Sequence, residues 1–237
     1  MNPQDRLIVA LDVPCRDDAM GYVDSLLPEV RQFKVGLELF CAEGRPLLDE
    51  IRDRGGRVFL DLKLHDIPNT VESAARILHH SGVWMTNVHA SGGPDMMRAA
   101  REAFPEEQLL AVTVLTSLDQ RTVNEFWGTE YGIEQIVQRW AVAAQEEGLN
   151  GVVCSPREIE PVRRAAGSQF TVVTPGIRPR WAASGDDQRR VTTPRQAVFN
   201  GADYLVIGRP ITGAESPKDA AGKIVKELRD EAGDYDG

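Results

Sequence analysis

The sequence predicts an α/β protein, a single-domain (β/α)8 TIM barrel. Three observations predict it. Eight short apolar runs alternate with longer stretches of helical periodicity. The runs are continuous rather than alternating, as in strands buried on both faces of a parallel sheet. The chain has 237 residues, near the size of about 250 usual for this barrel. No linker, low-complexity segment or strong repeat interrupts it, so one domain over 1–237 is expected. The rival is an open doubly wound sheet. That fold normally carries a glycine-rich fingerprint after its first strand, and Ala10-Leu11-Asp12-Val13-Pro14 is not one.

In chain order, strands are expected over 7–11, 33–35, 58–62, 85–88, 109–114, 151–153, 171–174 and 204–207. Helices are expected between them, over 17–27, 46–54, 71–79, 94–104, 133–147, 158–166, 193–200 and 217–229. Gly55-Gly56, Gly148 and Gly201 stand where helices must stop before the next strand.

Formal net charge is −9, from 27 basic and 36 acidic residues. That argues against a broad nucleic-acid or acidic-membrane surface. A few local cations are still enough to capture one small anion. Cys15, Cys41 and Cys154 are far apart, with no CxxC spacing. Neither a disulfide framework nor a zinc site is suggested, so three reduced cysteines are expected. The start of the chain shows no signal-peptide pattern, and no apolar run reaches spanning length. A cytoplasmic protein with no membrane partner is the expectation.

Active sites of such barrels lie at the C-terminal ends of the strands, and the polar residues collect there. Strand 1 ends in Asp12, strand 2 is flanked by Lys34, and strand 3 supplies Asp61 and Lys63, with Asp66 in the following loop. On a regular strand Asp61 and Lys63 point to the same face. Strand 4 ends in Asn87 and His89, and strand 5 leads to Thr116 and Ser117. Strand 7 runs into Pro175-Gly176-Ile177-Arg178, and strand 8 into Gly208-Arg209. Glycines at the last two loops let an anion approach backbone N–H groups, and an arginine supplies a bidentate phosphate partner. The polar stretch RPRWAASGDDQRR (178–190) reads as a mobile lid over such an anion.

Each residue has a plainer reading. Asp12 alone fits a helix N-cap, and Lys34 could snorkel to solvent. His89 could be a hydrogen-bonded structural histidine, and His79 with His80 could complement a helix dipole. Asp61, Lys63 and Asp66 could be an ion-pair network. The lid could be a solvated loop.

Six segments in this order, IVALDV (8–13), FKVG (33–36), DLKLHDIPNT (61–70), TVLTS (113–117), TPGIRP (174–179) and IGRPI (207–211), resemble the orotidine 5'-phosphate decarboxylase family. The resemblance covers nearly the whole chain and implies cofactor-independent conversion of orotidine 5'-phosphate to UMP in pyrimidine biosynthesis. It implies that Lys63 is the proton donor to C6 and that Asp61 sits beside the departing carboxylate. Lys34 would pair with Asp61 and touch the ribose, and Asp12 would bind ribose hydroxyls. Thr116 would hold the pyrimidine edge. Gln188 would bridge base and phosphate from the lid. Arg209, the Gly208 backbone and Arg178 would complete the binding positions. Asp66 and Thr70 would reach into a partner's site, which implies a homodimer. No metal or other cofactor is implied.

Two rivals are left by the sequence. The sugar-phosphate enzymes 3-keto-gulonate-6-phosphate decarboxylase and hexulose-phosphate synthase share DxKxxD and a phosphate site but use Mg2+ and enediolate chemistry. They typically carry an acid where Lys34 stands and lack the Pro68-Asn69-Thr70 extension. A non-catalytic phosphate-ligand binder would be recognised by a replaced Lys63 or Asp66, and neither is replaced.

Overall fold

The structure is a computed structural model that describes residues 1–182 and 192–229. Its eight parallel strands close into a barrel in the order β1 to β8, the fold class expected from the apolar runs. The strands are β1 (Leu7–Ala10), β2 (Gln32–Gly36), β3 (Arg57–Leu64), β4 (Met85–His89), β5 (Gln108–Val112), β6 (Gly151–Val153), β7 (Thr171–Thr174) and β8 (Tyr204–Ile207). Each expected strand is present within two residues at either end. The helices are α1 (Arg16–Leu26), α2 (Leu37–Asp53), α3 (Pro68–His79), α4 (Pro94–Ala103) and α5 (Gln120–Trp127). They continue as α6 (Ile133–Glu146), α7 (Ile159–Ala166), α8 (Pro194–Phe199), α9 (Arg209–Thr212) and α10 (Pro217–Arg229).

Two compact units divide the chain, Met1–Asp61 with Gly176–Gly237, and Leu62–Pro175. In the first, β1 pairs with both β2 and β8, and β2 pairs with β3. Ala10 lies opposite Lys34, and Gly36 lies opposite Asp61. This register brings the polar residues that follow β1 beside those at the end of β2. Phe33 and Phe59 are at most 1% exposed, and each such side chain contributes about 1.5–3 kcal/mol by burial. α1 packs on α2 and α10.

In the second unit β4, β5, β6 and β7 pair in turn, with α3 against α4 and α6 against α7. β6 and β7 approach closely at Gly151, where a Cβ would lie 2.0 Å from the Thr171 carbonyl oxygen. Only glycine fits there. Pro68 and Pro94 open α3 and α4 at the first helical position, where a missing N–H costs nothing. The expected stop at Gly148 is a left-handed glycine after α6 (φ 79°).

Two differences from the expected elements have simple causes. α2 begins at Leu37, nine residues before its expected start, because its two halves join across a kink at Gly44 (φ 63°) ahead of Pro46. α5 was not expected. Its apolar residues Val123, Phe126 and Trp127 share one face at i, i+3 and i+4, but the run is only 8 residues long and Val123 is its only buried residue. Its ends were readable all the same. Asp119 accepts from the Thr122 N–H at the start, and Gly128 is left-handed at the end. No helix of the described residues is long and apolar enough to cross a membrane.

Candidate active site

The end of β2 supplies a buried cation. Lys34 is 9% exposed, and its Nζ lies 3.0 Å from Asp12 Oδ1 and 3.4 Å from Asp61 Oδ2. The Asp61 side chain is 13% exposed and that of Asp12 63%. One ammonium therefore sits between a nearly buried carboxylate and one that keeps its face to solvent. Both plainer readings fail here. Lys34 does not snorkel, and α1 is capped at Cys15 rather than at Asp12. Gly36 makes the arrangement possible, since a Cβ there would lie 3.1 Å from Lys34 Nζ. Its role went unread in the sequence, because the atom its missing Cβ would crowd is known only from the folded strand.

The same unit carries the residues expected to hold an anion. At Gly208 a Cβ would meet the Ala10 Cβ at 3.3 Å and Asp12 Oδ2 at 3.5 Å. The loop after β8 is thus pressed against the end of β1, beside the Lys34 cluster. Arg209 follows as the first residue of α9 and is exposed. Gly176 is left-handed (φ 75°). Arg178 is half-buried, and its backbone N–H donates to the Thr192 carbonyl at 3.1 Å. Neither Arg178 nor Arg209 has a carboxylate partner among the described residues. Such a guanidinium is available to an incoming anion. Of the expected lid, Arg180–Ala182 forms a 3-10 turn, and Lys223 Nζ lies 5.6 Å from the centre of the Trp181 ring. Gln188 lies outside the described residues.

In the second unit Lys63 has a left-handed backbone, φ 54°, alone among the described non-glycine residues. For an L residue that conformation costs about 1–2 kcal/mol. Regular strand dihedrals therefore break at Lys63, although β3 runs on to Leu64. Its N–H donates to Asn87 Oδ1 at 2.7 Å, and Asn87 is fully buried on β4. Asn87 was placed at its strand end from sequence, but its bond to Lys63 was not foreseen.

Asp66 and Thr70 are both exposed. Asp66 Oδ1 accepts from the Ile67 N–H at 2.7 Å, and Thr70 lies in the first turn of α3. Ile67 between them is 65% exposed. Thr116 and Ser117 are exposed in the loop between β5 and α5. His65 and His89 stack obliquely, with ring centres 5.3 Å apart. His79 closes α3 as expected and also places Nδ1 2.8 Å from Glu107 Oε1.

The first unit thus carries a cation held between acids, beside a glycine–arginine loop open to an anion. The second carries a lysine at the end of β3 in a constrained backbone. The groups of the first unit suit a small anionic, hydroxyl-bearing ligand, and the lysine of the second is a group able to give a proton.

Known proteins point the same way. Residues 5–224 match the family model described as orotidine 5'-phosphate decarboxylase / HUMPS family. The orotidine 5'-phosphate decarboxylase of Syntrophomonas wolfei is 48% identical, over 97% of this chain and 100% of that protein. That of Moorella thermoacetica is 51% identical, over 96% of this chain and 94% of its own. Among solved structures, orotidine 5'-phosphate decarboxylase from Lactobacillus acidophilus superposes with a TM-score of 0.84 at 35% identity, covering 94% of this chain and 99% of that one. An uncharacterized conserved protein from Geobacillus kaustophilus gives 0.83 at 36% identity over the same shares.

Proposed function

The chain belongs to the orotidine 5'-phosphate decarboxylase / HUMPS family, and from that premise we propose that it is a carboxy-lyase converting orotidine 5'-phosphate to UMP in pyrimidine biosynthesis, with Lys63 protonating C6. The observation that carries this reading is Lys34, held at 3.0 Å from Asp12 and 3.4 Å from Asp61. The enediolate branch of the barrel family typically has an acid at that position. Here the position is a cation integrated with both neighbouring acids.

The reaction breaks the bond between C6 and the carboxylate carbon. CO2 leaves, and the electron pair stays on C6 in an in-plane sp2 orbital that the ring carbonyls cannot delocalise. The protein must therefore act by electrostatics. The Lys63 ammonium faces the developing carbanion, stabilises it, and gives it a proton. A C6–H bond forms, and the lysine recovers its proton from solvent. Asp61 stands beside the substrate carboxylate, a like-charge contact that CO2 loss relieves. Asp12 and Lys34 take the ribose hydroxyls, and Thr116 takes the pyrimidine edge. Arg209, the Gly208 backbone and Arg178 take the phosphate, with Gln188 reaching base and phosphate from the lid segment. Phosphate binding assists a distant bond cleavage by driving closure over a dehydrated site.

The proposal extends to a homodimer in which Asp66 and Thr70 serve the partner's site. The exposure of Asp66, Ile67 and Thr70 in the single chain supports this. It further treats residues 1–237 as one catalytic domain, acting in the cytoplasm on a small-molecule substrate with no nucleic-acid or membrane partner and no cofactor.

The test is decarboxylation of orotidine 5'-phosphate by purified protein in EDTA, followed by pyrimidine absorbance. Rapid turnover to UMP is expected. Absence of turnover, with activity on a sugar phosphate once Mg2+ is supplied, would move the reading to the enediolate branch.

A further inference from the structure

Lys63 keeps a left-handed backbone (φ 54°) that L residues adopt only where their surroundings over-determine it. The buried amide of Asn87 is such a determinant. Its Oδ1 accepts from the Lys63 N–H at 2.7 Å, and Thr86, Asn87 and Val88 are all at 0% exposure on β4. An amide so deeply buried loses this bond if it swings away, and a lost hydrogen bond in a core is costly. The bond therefore rewards the one backbone conformation that presents the residue 63 N–H to Oδ1. That conformation in turn sets the direction in which the lysine side chain leaves β3.

We infer that Asn87 is a positioning residue for the reaction, aiming the Lys63 ammonium at the reacting carbon by holding its backbone left-handed. The inference rests on the reading of Lys63 as proton donor. Asn87 itself touches no reacting atom and acts through Lys63. A purely structural Asn87 would hold the strands and affect unfolding alone. A positioning Asn87 affects the chemical step in protein that is fully folded.

Four variants separate the two roles when compared with the wild type. Asn87→Leu keeps the volume and removes the acceptor, Asn87→Ala removes both, Asn87→Asp keeps an acceptor at the same reach, and Lys63→Ala is the control. All are assayed on orotidine 5'-phosphate at a temperature where circular dichroism shows them folded, with UMP affinity measured alongside. In Asn87→Leu, kcat is expected to fall about a hundredfold, the scale of a small misplacement of a reacting group. KM and UMP affinity should stay within roughly threefold, because binding is not what the bond supports. Asn87→Asp should recover most of the lost kcat. If Asn87→Leu does not fold, Asn87→Ala carries the same comparison. Near wild-type kcat in the folded acceptor-less variant overturns the inference. So does an equal loss of UMP affinity, or an Asp variant no better than Leu. The control keeps the two readings apart. An inactive Lys63→Ala beside a fully active Asn87→Leu sinks the positioning role and leaves the proton donor standing. An active Lys63→Ala sinks the donor, and the positioning role with it.

Discussion

The two lysines proposed to serve the reaction are held by different means. Lys34 lies on a regular stretch of β2 and is fixed at its charged end, between Asp12 and Asp61. Lys63 is fixed at its backbone, by a left-handed φ and a bond to the buried Asn87. A lysine tied by its ammonium is committed to its carboxylates and is suited to orient a ligand. A lysine constrained at the main chain has its side chain aimed by the backbone, which suits a group that must give a proton to one atom. Stability and activity should therefore respond differently at the two positions.

The largest effect is expected at Lys63. Lys63→Ala should nearly abolish turnover of orotidine 5'-phosphate while the fold survives, and substantial activity in that variant would remove the assigned role. Thermal unfolding adds a second readout. Lys63→Gly should be equally inactive yet more stable than Lys63→Ala by about 1 kcal/mol, because glycine adopts positive φ without steric cost. If the alanine form is the more stable, the backbone constraint is not the one described.

Lys34→Met should be costly in both respects. It takes the Lys34 ammonium away from the nearly buried Asp61, so we expect a stability loss of roughly 2 kcal/mol. That is below the 3–5 kcal/mol of fully buried pairs because Asp12 can rehydrate. Turnover should fall as well, and denaturant unfolding with steady-state kinetics measures both. Unchanged stability would break the contrast between the lysines.

Arg209→Ala is expected to act mainly on binding. A charge-assisted contact is worth about 1.5–3 kcal/mol, so UMP affinity should drop tenfold or more while uridine affinity stays put. Equal loss for both ligands would place Arg209 away from the phosphate. The smallest effect belongs to Gly208→Ala. Its Cβ would sit 3.3 Å from the Ala10 Cβ and 3.5 Å from Asp12 Oδ2, a tight but movable contact. A loss of UMP affinity below that of Arg209→Ala is expected by titration calorimetry. A larger loss would make the loop backbone the main phosphate anchor.

Much of this was legible in the sequence. The eight strands were visible because strands buried on both faces read as continuous apolar runs, as Val58-Phe59-Leu60 does. Asp12, Lys34, Asp61 and Lys63 could be named because barrel chemistry gathers at strand ends. What escaped has a common physical origin. The N–H of the left-handed Lys63 is bonded to an amide 24 residues away, and no local pattern around Lys63 announces it. Gly36 matters for the atom its missing Cβ would crowd, Lys34 Nζ, which becomes known only once strand register is known. α5 was hidden because its stripe, Val123, Phe126 and Trp127, spans only 8 residues, too short a run for the periodicity to stand out. Its capping residues were the better guide.

The division of the chain has a consequence for how it is born. The unit Leu62–Pro175 is continuous, whereas the other joins Met1–Asp61 to Gly176–Gly237. A ribosome extending at about 5–20 residues per second releases Lys63 and Asn87 close together in time. The lysine's backbone bond can therefore form while Arg209 is still uncoded in the nascent chain. β1 must wait far longer, since it pairs with β8 as well as β2. Until Tyr204–Ile207 emerges, β1 carries an open edge, and open edges are where strands from other chains add. The first strand made thus keeps one edge unpaired until the last strand has been made.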